Sequence, residues 1–588
     1  MIAHFARDMM NFMVLSLVAG VPLLLLAFCC FASLRQTGFR LLPWSPLPAL
    51  LAVLFLSPDV EVQVGWFFMG GSMGLDAIGR IFLGITAAVW LLASLSVHEK
   101  FRHDPHRFRF AGFFLAAMSG NFGLILARDI LGFYLFFALM SFSAYGLIAH
   151  NRPEDSARAG RVYLILVFFS ELAMFTAMVI LSARGDVSSV GAVPAGEFSM
   201  LLIILLFVAF GVKIGALPFQ SWMALSYQQA PVPAATALAG AMVNAGILGW
   251  LRFFPFGQIV LPGGGVFFII MGTLAALYGV LFGLYQDRPG RVLAASSISQ
   301  MGLLTAIAGF GLLSSEGGSA ALILVTLFAV HHSLAKTSLF LGYDLVDRGG
   351  RPAGFVLVAG LLLPCLALAG FPFTGGAMVK ASLKELAALG GGAWYLFGKV
   401  FLPVSSIATT VLMLHFTRLL RQQNSEQTES KKTVATLLWI LSVAGVIAVP
   451  WVLPQLRDTG SHSLQAHALV QSMWPVVLGA LLALVWFAAG RRLPGRNRAV
   501  PGFDILSRTL YDGFMHMLKS VTDLLAAMCH KTGSQTFRQP SFLNFITRGA
   551  GKWEKVLGRW SVVYLFYLLI SIILFMIMLT SRFFPGGA

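Results

Sequence analysis

The sequence predicts an all-α polytopic membrane protein with about sixteen transmembrane helices. Of its 588 residues, 58% are hydrophobic and only 11% are charged, whereas soluble proteins carry roughly 25% charged residues. Mean hydropathy is +0.82. Apolar runs follow one another almost without polar linkers, and each is long enough to cross a hydrocarbon core of roughly 30 Å. These features exclude a soluble enzyme, a secreted disulfide scaffold and a nucleic-acid binder as descriptions of the whole chain.

Hydropathy places the predicted helices along the whole chain. In order, they cover residues 11–33, 41–57, 75–97, 110–127, 130–149, 161–183, 199–217, 233–254, 265–287, 291–313, 319–346, 354–390, 391–417, 433–456, 472–490 and 560–581. The second is short, and the twelfth is interrupted between Gly370 and Gly376. The first is longer than the apolar core of a signal peptide and lacks an Ala-x-Ala exit, so we expect it to be retained as a helix.

The basic residues give an independent test of this helix count. The net charge is +17, and cytoplasmic loops of membrane proteins are enriched in lysine and arginine. Numbering each loop by the helix before it, odd loops hold 29 of these residues and even loops hold five. An error of one helix would mix the two sets. The split therefore predicts cytoplasmic odd loops and both termini outside. We expect the chain to lie in a bacterial inner (plasma) membrane.

Residues 491–559 differ from the rest, because they combine a basic linker with one apolar stripe. The stripe recurs at steps of three and four residues, which is typical of an amphipathic helix; it comprises Phe503, Leu506, Leu510, Phe514, Leu518, Val521, Leu525 and Met528. Such a helix lies along a membrane rather than across it. A small cytoplasmic helical hairpin is the alternative. The final transmembrane helix follows, within residues 560–588.

No motif in the chain points to a metal, a cofactor or a catalytic centre. The four cysteines are Cys29, Cys30, Cys365 and Cys529, and none forms the Cys-x-x-Cys pair that metal sites use. The chain also lacks a GxGxxG turn before a helix and an HExxH helix. We expect no bound metal or cofactor, and a non-catalytic role for this chain.

Ionisable residues inside the predicted helices are the candidate functional groups, because a charge in hydrocarbon is costly and is retained for a purpose. They are Glu171, Lys213, His331, His332, Lys336, Lys380 and Lys399. Asp76 and Arg80 stand four residues apart at the start of the third helix, and this spacing predicts a structural ion pair.

Two of these lysines stand beside predicted helix breaks. Lys213 precedes Pro218 by five residues, and Lys380 follows Pro372 by eight. Irregular backbone at membrane depth is tolerated where it is buried in protein or lines water, and paired broken helices are typical of repeat-built transporters. A buried lysine gives up its proton more easily, because burial disfavours the charged form. We therefore predict that these lysines, with Lys336 and its i−4 neighbour His332, carry protons.

Five stretches give the sequence a resemblance to a known family. They are GLDAIGR at 74–80, GALPFQSW at 215–222, APVP at 230–233, LAASSISQMG at 293–302 and HSLAKTSLFL at 332–341. Over roughly residues 75–420 the chain resembles the antiporter-like subunits of respiratory complex I, of membrane-bound [NiFe] hydrogenases and of Mrp-type cation/proton antiporters.

This resemblance implies a domain organisation. It implies N-terminal helices at 1–109, two inverted five-helix repeats with broken helices at 110–254 and 265–417, two further helices at 418–490, a lateral helix within 491–559 and a final span.

The resemblance also implies roles for single residues. Lys213 looks like the lysine of the seventh helix, Lys336 like the central connecting lysine with His332 beside it, and Lys380 like the exit-side residue. Two family positions are altered: Ala138 replaces a fifth-helix glutamate, and Asn244 an eighth-helix lysine or histidine. Glu171, one helix on from Ala138, is the candidate replacement for the missing carboxylate.

The function predicted from these features is proton translocation by an antiporter-like subunit of a larger membrane complex, of the respiratory NADH dehydrogenase or hydrogenase type. Three alternatives stay open: a proton-conducting subunit that energises a non-redox partner such as inorganic-carbon uptake, an Mrp-type cation/proton antiporter subunit, and a structural subunit with an inactive channel. The expected partners are other membrane subunits, a peripheral module reached through them, the lipid bilayer, and protons, with Na⁺ as the alternative ion. No nucleic-acid partner is expected.

Overall fold

The computed structural model describes residues 2–64, 71–151, 154–182, 198–389, 392–422, 433–452 and 466–490. All of them fall within one compact unit, Met1–Phe503. The predicted lateral helix and the final transmembrane helix lie outside the described residues.

The described residues are almost entirely helical. The helices are α1 (Ile2–Cys30), α2 (Arg35–Leu41), α3 (Leu47–Phe55), α4 (Ala77–Lys100), α5 (Arg107–Leu126), α6 (Ile130–Ile148), α7 (Glu154–Ser182), α8 (Met200–Ile214), α9 (Ser221–Gln229), α10 (Val232–Ala237), α11 (Val243–Phe253), α12 (Pro262–Leu284), α13 (Pro289–Leu313), α14 (Ser315–Ala369), α15 (Gly375–Leu389), α16 (Gly392–Leu396), α17 (Leu402–Gln422), α18 (Thr433–Val452) and α19 (Ala466–Gly490). A 3₁₀ turn at Leu42–Trp44 joins α2 to α3. π-helical turns at Leu238–Met242 and Phe397–Phe401 join α10 to α11 and α16 to α17.

Twelve helical segments within the described residues are long and apolar enough to cross a membrane. Three shorter apolar helices accompany them: Met200–Ile214, Leu357–Ala369 and Val434–Val449. The chain is therefore a multi-pass membrane protein, as the sequence predicts. Exposed leucine, isoleucine, valine and phenylalanine side chains on α1, α7, α12, α18 and α19 suit contact with lipid.

Helix α14 doubles back on itself. Its first arm (Ser315–Asp347) and its second arm (Leu357–Ala369) pack side by side, since a Cβ at Gly342 would meet Leu361. His331 on the first arm also faces the backbone carbonyl of Ala367 on the second. The two arms correspond to the eleventh predicted helix and to the first half of the interrupted twelfth.

A short β-hairpin, which the sequence does not predict, precedes α4. Strands β1 (Val60–Val64) and β2 (Gly71–Leu75) pair antiparallel, with Val60 opposite Leu75. The glycine-rich β2 is buried along its length, so it lacks the alternation of polar and apolar residues that identifies a half-buried strand.

The predicted ion pair between Asp76 and Arg80 is wrong. Asp76 caps α4 by accepting a 2.9 Å hydrogen bond from the backbone of Gly79 and forms ion pairs with Arg252 and Arg128. Arg80 instead donates to the backbone carbonyls of Val53, Leu56 and Ser57. As N-cap of α4, Asp76 has an extended backbone rather than a helical one, so the i,i+4 geometry of a helix does not apply to it.

Small residues let the central helices pack closely. Cβ atoms at Gly272 and Gly279 of α12 would collide with the backbone of α13, and Gly302 of α13 makes the reciprocal approach. Close backbone contact through glycine is typical of helix packing in membranes. Helix α13 is buried along its length within the described unit, and Lys336 bonds to its backbone.

Candidate functional site

Two helix breaks with matching geometry position Lys213 and Lys380. Helix α8 ends at Gly215, and the second arm of α14 ends at Gly370; both glycines adopt left-handed backbone, with φ of 70° and 91°. The residue after each glycine donates its N–H to the carbonyl five residues back, Ala216 to Gly211 (2.8 Å) and Phe371 to Leu366 (3.0 Å). This is the Schellman ending of a helix. The C-terminal carbonyls of both half-helices carry partial negative charge, which favours a nearby cation.

Lys213 lies in the last turn of α8 and is 3% exposed. Its Nζ donates to the Tyr163 hydroxyl at 2.8 Å and to the Ser141 hydroxyl at 3.2 Å. The same Nζ lies 5.3 Å from the ring centroid of Tyr163 and 5.8 Å from that of Phe137. Helices α6, α7 and α8 thus build a cradle of hydroxyls and aromatic faces around one amine, and both kinds of group stabilise a cation.

Glu171 on α7 is buried beside this cradle. Neither of its carboxyl oxygens makes a hydrogen bond to a described residue. Its charge acts on Lys213, and Ser141 lies close to both groups. No ion pair of 4 Å or less joins Glu171 to Lys213. The structure therefore brings the predicted carboxylate to the predicted lysine with a serine between them, and the functional pairing of the two stays a prediction.

Lys336 lies on the first arm of α14 and is fully buried. Its Nζ donates to the backbone carbonyl of Leu293 on α13 at 2.8 Å. His332 stands one turn earlier on the same face, close enough for the charges of the two side chains to interact. The thiol of Cys365 on the second arm also faces Lys336. Neither ring nitrogen of His332 is hydrogen-bonded to a described residue.

Lys380 on α15 reaches back to the second break. Its Nζ donates to the backbone carbonyl of Ala369, the last residue of α14, at 2.9 Å, and to the Ser406 hydroxyl of α17 at 2.8 Å. His331 lies within the electrostatic reach of Lys380 and faces the Ala367 carbonyl. A helix C-terminus, a serine and a histidine thus surround the third buried lysine.

The two altered family positions lie apart from each other. Ala138 is half-buried on α6, one residue from the Phe137 ring that lies beside Lys213. Asn244 on α11 is 1% exposed, and its side-chain amide donates to the Ser333 hydroxyl on the first arm of α14 at 2.9 Å. Ser333 directly follows His332, so Asn244 contacts the second group of candidate residues.

Lys399 is not gathered with the other candidates. It lies in the π-helical turn before α17, is exposed, and places its Nζ 4.3 Å from the ring centroid of Tyr395. The remaining predicted ionisable residues are all buried in the interior of the helical unit.

The sequence reasoning missed the hydroxyl groups that hold the lysines. Ser141, Tyr163 and Ser406 each bond directly to a lysine Nζ. A polar residue within an apolar helix was the available signal, because such residues face the interior of a bundle. Their partners, up to 72 residues away in sequence, follow only from the folded arrangement.

The arrangement suits reversible protonation at three places. In the described part of the chain, Lys213, Lys336 and Lys380 are hydrogen-bonded only to hydroxyls and backbone carbonyls, and none has an acidic partner within 4 Å. A buried charge without a counter-ion is unfavourable, whereas hydroxyls accept from an ammonium and donate to a neutral amine. Two histidines and one glutamate stand beside these amines. Among the described residues, no cluster of three or more histidine, cysteine, aspartate or glutamate side chains forms a metal site.

Comparisons with known proteins identify the family that this chain resembles. The family described as NADH:quinone oxidoreductase/Mrp antiporter, transmembrane, matches residues 127–404. The chain is 28% identical over 446 residues to NADH-quinone oxidoreductase subunit N 2 of Symbiobacterium thermophilum, covering 68% of this chain and 86% of the relative. It is 23% identical over 419 residues to hydrogenase-4 component B of Escherichia coli, covering 64% and 61%.

A solved structure confirms the fold at greater length. A chain of the Mrp complex from Dietzia sp. DQ12-45-1b superposes with a TM-score of 0.70 at 20% identity, covering 94% of this chain and 63% of that one. The chain thus spans less than two thirds of the hydrogenase-4 component and of the Mrp chain. These comparisons do not favour the alternative of an inorganic-carbon uptake partner. Residues 127–404, which contain all three buried lysines, therefore match the NADH:quinone oxidoreductase/Mrp antiporter transmembrane family, and the prediction of an antiporter-like membrane subunit is confirmed.

Proposed function

We propose that this chain translocates protons within a larger membrane complex by protonating and deprotonating Lys213, Lys336 and Lys380 in turn. One observation carries the proposal: three fully enclosed amines are held by neutral groups alone. A permanently charged structural lysine would be paired with a carboxylate, because an unpaired buried charge costs several kcal/mol. Glu171, His332 and His331 stand beside the three lysines and complete the proposed pathway; Lys399 would act at its edge.

The proposed pathway needs two repeats of opposite orientation, and the two breaks support them. Each repeat, 110–254 and 265–417, contains one left-handed glycine closing a half-helix next to a buried lysine. With the N-terminal helices 1–109, the pair at 418–490, a lateral helix within 491–559 and a last span within 560–588, the proposed protein has sixteen transmembrane helices.

The contacts between loops support the proposed orientation, in which odd loops face the cytoplasm and both termini face outward. Arg128 and Arg252, from even loops, meet at Asp76. Lys100 and Asp344, from odd loops, form an ion pair of 2.6 Å. Because residues of one parity meet one another, the chain between them crosses the membrane an even number of times, as the positive-inside count requires.

The partners of the proposed subunit follow from its relatives. Those relatives are named as subunits or components of a quinone oxidoreductase and a hydrogenase, so we propose other membrane subunits as direct neighbours and a peripheral redox module beyond them, in a bacterial inner membrane. The likeness to an Mrp chain makes cation/proton antiport the second candidate, with Na⁺ as the alternative ion.

The test uses the complex purified through a tag on this chain and reconstituted in liposomes with a pH-sensitive dye inside. Under an imposed pH gradient, Lys213→Met, Lys336→Met and Lys380→Met should each lower the initial rate of pH change by at least roughly tenfold. Lys384→Met is the matched control, because Lys384 lies one turn from Lys380 and bonds to Gln471 near the surface. Normal conduction by all three variants would refute the proposal, and a Na⁺ gradient that drives proton movement would identify antiport.

A further inference from the structure

A polar cavity opens beside the ion pair of Lys100 and Asp344, where two odd loops meet. It has a volume of about 360 Å³ and lies among the ends of α4, α9 and the first arm of α14. Its polar lining residues include Lys100, Asp104, Asn151, Gln229, Asp344 and Asp347. None of the candidate residues predicted from the sequence lines this cavity.

The floor of the cavity is formed by two aromatic residues, Tyr227 and Phe340. Their ring centroids lie 5.5 Å apart, edge to face. Phe340 follows Lys336 by four residues, so the two side chains share a face of α14 and are separated by a rise of about 6 Å. A residue that lines the cavity therefore stands one helical turn from Lys336.

Two buried hydroxyls lie between the floor of the cavity and the carbonyl that holds Lys336. Tyr227 is 2% exposed, and its hydroxyl faces the Ser297 hydroxyl on α13. Neither oxygen makes a well-formed hydrogen bond to a described residue, and buried polar groups of this kind are usually satisfied by water. Ser297 stands one turn after Leu293, whose carbonyl accepts the hydrogen bond from Lys336 Nζ.

The charges around the cavity favour proton collection. Three carboxylates line it against one lysine, and that lysine is paired with Asp344 at 2.6 Å. The carboxylate of Asp104 also lies 3.4 Å from Nε2 of the buried His150. Carboxylates that line a concave site raise the local concentration of cations, protons included. The unpartnered Tyr227 hydroxyl at its floor gives the collected proton a way inward.

We propose that this cavity is the proton-uptake vestibule of the second repeat, and that Tyr227 and Ser297 relay protons from it to Lys336. This proposal rests on the proposed function, because the cavity would deliver protons to Lys336, one of the three lysines of the proposed pathway. A proton from cavity water adds to the Tyr227 oxygen while the phenolic proton passes to Ser297. The serine proton then passes to the neutral Lys336 amine, which becomes an ammonium, and no net charge stays on either hydroxyl.

The experiment uses the reconstituted complex and compares removal of the hydroxyls with blocking of the cavity. Tyr227→Phe and Ser297→Ala should each lower proton conduction roughly tenfold, whereas Tyr285→Phe, which removes an exposed hydroxyl at the same face of the molecule, should leave it unchanged. In otherwise unaltered protein, Gln229→Cys treated from the cytoplasmic face with a cationic, membrane-impermeant thiol reagent should lose conduction. Gln422→Cys, in a neighbouring cavity of about 340 Å³, should not.

Lys336→Met separates the two proposals. If Lys336→Met abolishes conduction while Tyr227→Phe and labelled Gln229→Cys conduct normally, the vestibule is refuted and the proposed function stands. If Tyr227→Phe fails to assemble, the labelled Gln229→Cys protein decides alone. Normal conduction by Lys336→Met refutes the relay as well, because its destination would carry no protons.

Discussion

The side-chain amide of Asn244 donates a 2.9 Å hydrogen bond to the hydroxyl of Ser333 and so ties α11 to the first arm of α14. Two residues on from Asn244, a Cβ at Gly246 would lie 3.0 Å from the Cβ of Lys213. Ser333 precedes Lys336 by three residues. The Asn244–Ser333 pair therefore lies between two buried lysines, and neither an amide nor a hydroxyl holds a charge at working pH.

Replacing Asn244 with histidine should speed proton conduction severalfold, because an imidazole between the two lysines can accept and donate a proton, whereas an amide cannot. The measurement is dye-reported conduction by the reconstituted complex. Asn244→Gln is the matched control, since it keeps an amide that does not titrate. Equal rates for the two variants would show that proton transfer between Lys213 and Lys336 does not limit conduction.

Replacing Glu171 with glutamine should abolish conduction while the complex still assembles. The substitution keeps the shape of the side chain but removes the charge that acts on Lys213, so the cradle of Ser141 and Tyr163 would hold that amine alone. Co-purification of partner subunits reports assembly, and the liposome assay reports conduction. Glu316→Gln, in the first turn of α14, is the control. Wild-type conduction by Glu171→Gln would show that proton transfer at Lys213 does not require the carboxylate of Glu171.

Local sequence signals predicted the apolar helices, both breaks and the buried lysines. Each of these depends on neighbours in the chain: runs of about 20 apolar residues, a glycine followed by proline, and a lysine within such a run. The partners of these groups were not predictable in the same way. Arg252 meets Asp76 across 176 residues. Lys336 bonds to a backbone carbonyl, and because every residue has one, the sequence does not indicate which carbonyl it is.

The same limit explains the two errors at the start of α4. Asp76 and Arg80 have the spacing of a helical ion pair, but an N-cap residue turns its carboxylate toward the helix end and leaves it free for Arg252 and Arg128. The hairpin of β1 and β2 lacks alternation because β2 is enclosed on both faces. In each case tertiary burial, rather than local pattern, decided the structure.

Gly376→Ala should damage the Lys380 site more than other glycine substitutions in transmembrane helices. A Cβ there would collide with the backbone carbonyl of Ala367 and approach His331 Nε2 to 3.1 Å, so α15 must move away from the end of α14, where Lys380 binds Ala369. Conduction should fall, with a lower thermal midpoint in detergent. Gly20→Ala is the control, since nothing lies within 4 Å of its added Cβ. Equal midpoints for the two variants would contradict the predicted close contact.

The ion-pair cluster at the start of α4 should make the protein sensitive to acid. Burial disfavours the charged form of Asp76, but hydrogen bonds from Arg252 and Gly79 and the charges of Arg252 and Arg128 outweigh burial and lower the pKa of Asp76 from 3.8 to about 2. Because this pKa is lower in the folded than in the unfolded protein, the stabilisation is complete above about pH 4 and is lost as the pH falls toward 2. With the side chain 21% exposed, the contribution is roughly 1–2 kcal/mol.

Asp76→Asn should therefore lower the thermal midpoint of the detergent-solubilised complex at pH 6, and the difference from the unaltered protein should shrink as the pH falls from 4 to 2. Asp59→Asn is the matched control, since Asp59 lies in the segment before the same hairpin, is exposed, and has a φ of 55° that asparagine also adopts readily.

His150 titrates separately: burial lowers its pKa from 6.5, so its contribution to stability is lost on acidification below about pH 6.5. Measuring Asp76→Asn against the unaltered protein at each pH cancels that contribution. A midpoint difference that stays constant from pH 6 to pH 2 would show that Asp76 acts through its shape as a helix cap and not through its charge.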